Sequence, residues 1–339
     1  MTGAPVAPLA VSLGEPAGVG PEIAAAAWAA LRSTGPAFCV VGDAALLRRQ
    51  GRPVQGVSNL SDAAAVFPRA LPVLDRPLPA AVTPGRPDPA HAGAVADWIE
   101  ESVSLAVSGE ASGVVTAPIA KAPLYAAGFR FPGHTEFLAE LTADVPFAGT
   151  RGPVMMLTAR GLRAALVTIH EPLAAVPALV TADRVRHVAR VVHEALRRDF
   201  AIAAPRLALA ALNPHAGEGG AMGREEIETL TPAAAGLREE GLNVTDPLPA
   251  DTLFHEDARA AYDAAICLYH DQALIPVKTL DFWGGVNVTL GLPVIRTSPD
   301  HGAGFDIAGK GVARADSLIA AVRLAGEMAA QRVKSASDA

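Results

Sequence analysis

The sequence predicts an α/β fold built on a buried, largely parallel sheet. Three observations predict it: short apolar runs alternate with longer segments of helical period, half of the 339 residues are hydrophobic while 19% are charged, and no apolar run approaches the length of a membrane span. A chain of this length fits two domains, each able to bury a core. Gly 31 and Pro 28 show no period, which excludes a fibrous or disordered chain.

Along the chain, Leu9 to Leu13 is the first expected strand, and Pro21 to Arg32 the first helix. The turn between them, G-E-P-A-G-V-G-P-E from Gly14 to Glu22, has glycines for a sharp reversal, Pro21 for the first helical position and Glu22 to complement the positive helix end. It is neither the G-x-G-x-x-G dinucleotide fingerprint nor a Walker P-loop. A second strand, Phe38 to Val41, is followed by the connector Arg76 to Pro89, with its five prolines, and the helix Ala90 to Val107. Further strands are expected at Gly113 to Thr116, Val154 to Leu157, Ala164 to Ile169, Leu207 to Leu212, Ala264 to Tyr269 and Val286 to Leu290. The remaining helices are Thr135 to Leu141, Ala182 to Arg198, Arg224 to Glu240 and Ala313 to Arg332.

The 28 Lys and Arg against 35 Asp and Glu leave a formal charge of −7, which disfavours nucleic acid yet permits a few convergent cations to hold one small anion. Cys39 and Cys267 lie inside apolar runs, where a thiol behaves as a small hydrophobe, so no disulfide framework is expected. The start M-T-G-A-P-V-A-P-L-A-V lacks the basic end and apolar core of a signal peptide, and the expected location is cytoplasmic, without membrane attachment.

Three histidines fall at the ends of three expected strands: His170, His215 and His270. Parallel strands gather their carboxyl ends on one sheet edge, where ligands bind in open α/β folds. Three neutral imidazoles leave a fourth position open, the arrangement of a catalytic divalent metal. One such histidine alone reads as structural; three placed alike favour the metal. Asn213, Glu218, Asp251 and Asp271 stand beside them as groups that orient an imidazole or take a proton, or as turn-formers. His134 and Thr135 precede a helix, where Thr135 caps the first turn and an anion would use both residues. Lys278, Asn287 and Arg296 follow His270 closely and, if they converge, form a clamp for phosphate or carboxylate. The loop S-P-D-H-G-A-G-F-D-I-A-G-K-G, Ser298 to Gly311, is small enough for a flat ligand to approach its backbone. His91, His187, His193 and His255 receive no role.

G-E-P-A-G-V-G-P-E, P-G-H-T-E-F, L-N-P-H-A-G-E-G-G-A-M-G, L-P-A-D-T-L-F, Y-H-D-Q and R-T-S-P-D-H-G, in this order across residues 14 to 311, together resemble the 4-hydroxythreonine-4-phosphate dehydrogenase (PdxA) family. The two ends are also similar to 3-isopropylmalate and isocitrate dehydrogenases, notably H-G-A-G-F-D-I-A-G-K-G from His301 to Gly311.

The resemblance implies two α/β/α domains around a central cleft, 1–128 plus 291–339 and 129–290, and a homodimer with shared active sites. It implies NAD bound without G-x-G-x-x-G at His301, Gly302, Asp306 and Ile307, and one divalent metal ion, zinc first and magnesium, manganese or cobalt as alternatives, held between subunits by His170, His215 and His270. The phosphorylated substrate falls to His134, Thr135, Lys278, Asn287 and Arg296, with Lys278 and Asp251 as the candidates for proton transfer. Ala303 departs from a pattern in which threonine often follows the glycine, removing a hydroxyl near the cofactor. The implied reaction is oxidation of the C3 hydroxyl of 4-phosphooxy-L-threonine by hydride transfer to nicotinamide, then loss of the carboxylate as carbon dioxide. The product, 3-amino-2-oxopropyl phosphate, serves pyridoxal 5′-phosphate (vitamin B6) synthesis. The alternatives are a paralogous 4-phospho-threonate 3-dehydrogenase, a zinc hydrolase and a binder of phosphorylated ligands without catalysis.

Overall fold

The computed structural model describes residues 6–131 and 133–337. Met1 to Pro5 of the stretch read for a leader, and Pro132 of P-G-H-T-E-F, lie outside the described residues. The strands in chain order are β1 (Leu9–Ser12), β2 (Phe38–Gly42), β3 (Val54–Gly56), β4 (Leu71–Asp75), β5 (Val114–Thr116), β6 (Val154–Ala159), β7 (Leu162–Leu166), β8 (Arg206–Leu209), β9 (Asn243–Val244), β10 (Ala264–Cys267), β11 (Val286–Leu290) and β12 (Arg296–Pro299). The chain forms two compact units, Met1–Pro146 with Leu292–Ala339, and Phe147–Gly291, so that His134 and Thr135 belong to the first.

In the first unit the strand order is β3-β4-β2-β1-β5-β12, and the pairings are parallel. β1 and β2 are buried along their whole length and carry the continuous apolar sequences L-A-V-S and F-C-V-V-G, as a strand covered on both faces requires. The helices Gly20–Leu31 and Ala92–Val107 bury Trp28 and Trp98, whose indole N–H groups donate to Phe67 O at 2.8 Å and Arg76 O at 3.2 Å.

In the second unit the order is β11-β6-β7-β10-β8-β9. Strands β7, β10, β8 and β9 run parallel, whereas β6 is antiparallel to both β7 and β11. The β6–β7 hairpin turns at Arg160 and Gly161, both with positive φ (45° and 84°), the backbone that a two-residue hairpin turn prefers. The core beneath it includes Leu157, Leu166, Ala265 and the buried Cys267.

The expected strands and helices are present, Val286–Leu290 with the ends expected and most others with shifted ends, while Arg224 to Glu240 divides into a π-helical turn, Glu226–Leu230, and the helix Thr231–Glu239. Several elements were not expected. β4 contains Pro72, and β12 opens on a charge, so neither shows a strand pattern. The helix His270–Leu280 carries Pro276 inside it, which masked its period. Among the described residues no helix is long and apolar enough to cross a membrane.

Candidate active site

Pairing in the second unit sets two of the three histidines side by side. Leu166 on β7 is in register with Cys267 on β10, and the ladder continues past both strands, Val167 N–H donating to Cys267 O at 2.8 Å and Thr168 N–H to Leu268 O at 3.1 Å. His170 and His270 follow within a few residues, and their ring centroids lie 5.6 Å apart. His270 opens the helix His270–Leu280, and its Nδ1 is 2.7 Å from Asp271 Oδ1. With Nδ1 engaged by that carboxylate, Nε2 is the ring nitrogen left for a ligand. Both histidines line a cavity of ≈ 360 Å³ together with Glu171, Leu173, Tyr269 and Asp271.

β8, which feeds His215, is the other neighbour of β10. Gln272 joins the two strand ends: its Oε1 accepts from Leu268 N–H, and its Nε2 donates to Ala211 O, each at 2.7 Å. Y-H-D-Q therefore supplies the joint as well as the ligand candidate. From His215 to Gly219 the backbone has positive φ throughout, at 51°, 52°, 80°, 44° and 63°. Three of these residues, His215, Ala216 and Glu218, are not glycine, and such conformations persist only where surrounding contacts enforce them.

Glu226, within the helix expected at Arg224 to Glu240, holds the segment that leads into this loop. It sits in a π-helical turn, Glu226–Leu230, and is 4% exposed. Its Oε1 accepts from the backbone N–H groups of Leu212 (2.9 Å) and Asn213 (2.8 Å), and its Oε2 from Asn213 Nδ2 at 2.9 Å. Burial raises its pKa, but the bonds from Asn213 and Leu212 outweigh burial and hold the carboxyl below its usual value. Asn213 thus grips Glu225 and Glu226 rather than an imidazole ring. Among the described residues no three His, Cys, Asp or Glu side chains gather closely enough to hold a metal ion.

In the first unit, Arg296 is buried and the half-buried His134 turns a buried Nε2 inward. Arg296, on β12, is 3% exposed and donates from Nη2 to Thr116 Oγ1 on β5 at 2.7 Å. Burial lowers its guanidinium to about 10, against the pull of Glu136. Burial, then the charge of Arg296, holds His134 well below the ordinary imidazole value, and its Nε2 has no hydrogen-bond partner among the described residues. A buried cation beside a neutral imidazole with a buried, unpartnered Nε2 suits a desolvated anion. Thr135 does not cap the helix as expected. Gly133 holds the N-cap position, and Thr135 lies within the first turn, 8% exposed.

The remaining expected residues are distributed between the units. In the second, Lys278 Nζ sits 5.2 Å from the Phe282 ring centroid, Asn287 lies on β11 with its Oδ1 buried and unpartnered among the described residues, and Asp251 lines a cavity with Tyr269, Asp271 and Ile275. In the first, the loop of His301, Gly302, Asp306 and Ile307 is anchored where Val19 N–H donates to Ala303 O at 2.8 Å. His301 Nδ1 lies 2.9 Å from Gly302 O. The Ala303 side chain is buried, so the departure at this position falls on a residue packed into the protein.

The family model of the pyridoxal phosphate biosynthetic protein PdxA matches residues 35–325. A Caulobacter vibrioides protein described as 4-hydroxythreonine-4-phosphate dehydrogenase is 63% identical over 327 residues, covering 96% of this chain and 98% of its own. The crystal structure of 4-hydroxythreonine-4-phosphate dehydrogenase from Klebsiella pneumoniae superposes with a TM-score of 0.85 at 37% identity, covering 95% of this chain and 99% of that one. A terephthalate 1,2-cis-dihydrodiol dehydrogenase from Burkholderia xenovorans is more distant, with a TM-score of 0.64 and 31% identity over 95% of this chain and 98% of its own. A family match spanning most of the chain, joined by near-complete coverage of the relatives, establishes that the protein belongs to the PdxA family.

Proposed function

We propose that this chain is an NAD-dependent, metal-assisted decarboxylating dehydrogenase that converts 4-phosphooxy-L-threonine to 3-amino-2-oxopropyl phosphate for pyridoxal 5′-phosphate synthesis. The observation that carries the reading is the His170–His270 ring pair, 5.6 Å apart at the ends of adjacent parallel strands. Two imidazoles, one oriented by Asp271, fit a divalent ion such as zinc, magnesium, manganese or cobalt, with His215 as the third ligand. When bound, that ion supplies Lewis acidity to the substrate and NAD accepts the hydride.

The chain's own residues do the rest. Arg296, His134 and Thr135 are assigned to the phosphate in the first unit, and Lys278 and Asn287 remain the substrate-binding candidates of the second. Depressed pKa values leave His134 neutral and Arg296 still charged near pH 7, so both act as donors without a second buried cation. Lys278 and Asp251 are assigned the proton: one takes it from the C3 hydroxyl as hydride leaves, and a proton is returned to carbon after carbon dioxide departs. His301, Gly302, Asp306 and Ile307 hold the dinucleotide, Asp306 accepting from the ribose hydroxyls and so favouring NAD over NADP.

The site is assigned to a homodimer. The third ligand, His215, is assigned to the second copy of the chain, so that each metal site draws on both subunits. Exposed apolar residues border the same cavities, Leu173 at 68% beside His170 and His270, and Ile275 at 63% beside Asp251. The test is NADH formation with 4-phosphooxy-L-threonine and with 4-phospho-threonate at matched concentration, with and without added divalent metal. Faster, metal-dependent turnover of the amino acid supports the reading; preference for the threonate assigns the paralogous activity, and no NADH from either removes the dehydrogenase.

A further inference from the structure

Two segments that stand at opposite ends of the sequence form one assembly in the first unit. Glu22 lies in the first turn of the helix Gly20–Leu31, where a carboxylate would ordinarily face its own helix end. Its two oxygens instead take the backbone of the C-terminal loop: Oε1 accepts from Gly309 N–H, and Oε2 from Gly311 N–H at 3.1 Å. Gly309 and Gly311 have φ of 77° and 67°, and this left-handed backbone turns both N–H groups toward one anion.

The start of the loop is held by the same turn. Val19 N–H donates to Ala303 O at 2.8 Å, and a side chain on Gly18 would meet that carbonyl at 2.6 Å. The proline-rich connector closes the other side, Gly85 N–H donating to Ala17 O at 2.7 Å, while a Cβ on Gly85 would stand 2.8 Å from Phe305 O and one on Gly309 2.7 Å from Pro84 Cβ. Ala303 and Gly309 to Gly311 are therefore fixed points. Between them lie Asp306 and Ile307, and Asp306 is exposed.

We propose that Glu22 is a positioning residue for the dinucleotide: by holding the Gly309 and Gly311 amides it sets the backbone that presents Asp306 to the ribose. The inference rests on the assignment of residues 301 to 311 to the cofactor. Glutamate suits the task because two equivalent oxygens serve two amides, whereas glutamine offers one oxygen and an N–H₂ that opposes the second amide.

The experiment measures the NAD dissociation constant of the purified dimeric, metal-containing protein and amide exchange in the segment 303 to 312, for the parent, Glu22→Gln, Glu22→Ala and Asp306→Lys. Loss of one charge-assisted bond in Glu22→Gln should raise the NAD dissociation constant on the order of tenfold and Glu22→Ala by more, with faster exchange in the loop and unchanged metal content. If Glu22→Ala does not fold, Glu22→Gln with the same two readouts decides. Faster exchange with unaltered NAD affinity, while Asp306→Lys weakens NAD, would overturn the role of Glu22 and leave the cofactor loop in place. Unaltered affinity in all three variants would remove the cofactor assignment itself, and the proposal with it.

Discussion

Gln272 donates its side-chain amide to the carbonyl of Ala211 at 2.7 Å and thereby ties the helix that begins at His270 to the strand end that leads to His215. Its oxygen accepts from Leu268 N–H at the same time, so one 7%-exposed side chain satisfies two buried backbone groups. Gln272→Leu keeps much of the volume and leaves both groups unpaired, which should cost about 2–5 kcal/mol of unfolding free energy. Urea denaturation measures that loss, and the metal content of the folded fraction should fall with it. A variant as stable as the parent would mean that the joint is dispensable.

Glu226 is expected to matter through the loop it holds. Glu226→Gln replaces one acceptor oxygen by a donor facing Asn213 or the backbone, and the expected loss is about 1–3 kcal/mol near pH 7. The folded carboxyl lies below the usual 4.5, so its contribution is present above that value and is lost as pH falls through the folded pKa. The gap between parent and variant in thermal unfolding should therefore narrow on acidification below 4.5. A gap that stays constant would show that the ionised form contributes nothing.

His134 makes stability depend on pH in the range of imidazole titration. The unfolded ring takes up a proton near 6.5, while in the fold burial and the Arg296 charge hold its pKa well below that. Stability is thus full above 6.5 and declines as pH falls toward the folded pKa, since protons bind preferentially to the unfolded chain. His134→Asn, measured without ligand between about pH 5 and pH 8, should flatten this decline. An unchanged slope would place the titrating group elsewhere.

The proposed sharing of the site between two copies is open to complementation. His170 and His270 already face each other in one chain, and no third ligand joins them among the described residues. Dimers of one His215→Ala chain with one His270→Ala chain keep one intact site of two and should recover about half of the parent rate, although each homodimer is inactive. Proven heterodimers without activity would contradict a site that takes its ligands from both chains.

Much of this was legible in the residues, because strand ends announce themselves. His170, His215 and His270 each close or follow a continuous apolar run, and runs of that kind become parallel strands whose ends share an edge. What could not be read was which groups hold those ends. Glu226 is 13 residues from Asn213 and looks like any helical glutamate, and Glu22 acts 287 residues away. Neither contact leaves a periodic trace, since a hydrogen bond to a backbone amide constrains only one side. Thr135 shows the opposite error: a threonine before a helical pattern reads as a cap, but Gly133 reaches the extended backbone first and carries Thr135 inside the turn. The helix at His270 escaped because Pro276 argues against it locally, while tertiary packing of Ala273 and Val277 overrides that preference.

If oxidation and decarboxylation occur on one substrate at one site, the products must balance. With 4-phosphooxy-L-threonine as the limiting reagent, NADH and carbon dioxide should appear in equal amounts, each matching the substrate consumed. Both should fall together in His170→Ala, His215→Ala and His270→Ala. NADH without carbon dioxide, or inorganic phosphate released without NADH, would rule out a decarboxylating dehydrogenase acting at this site.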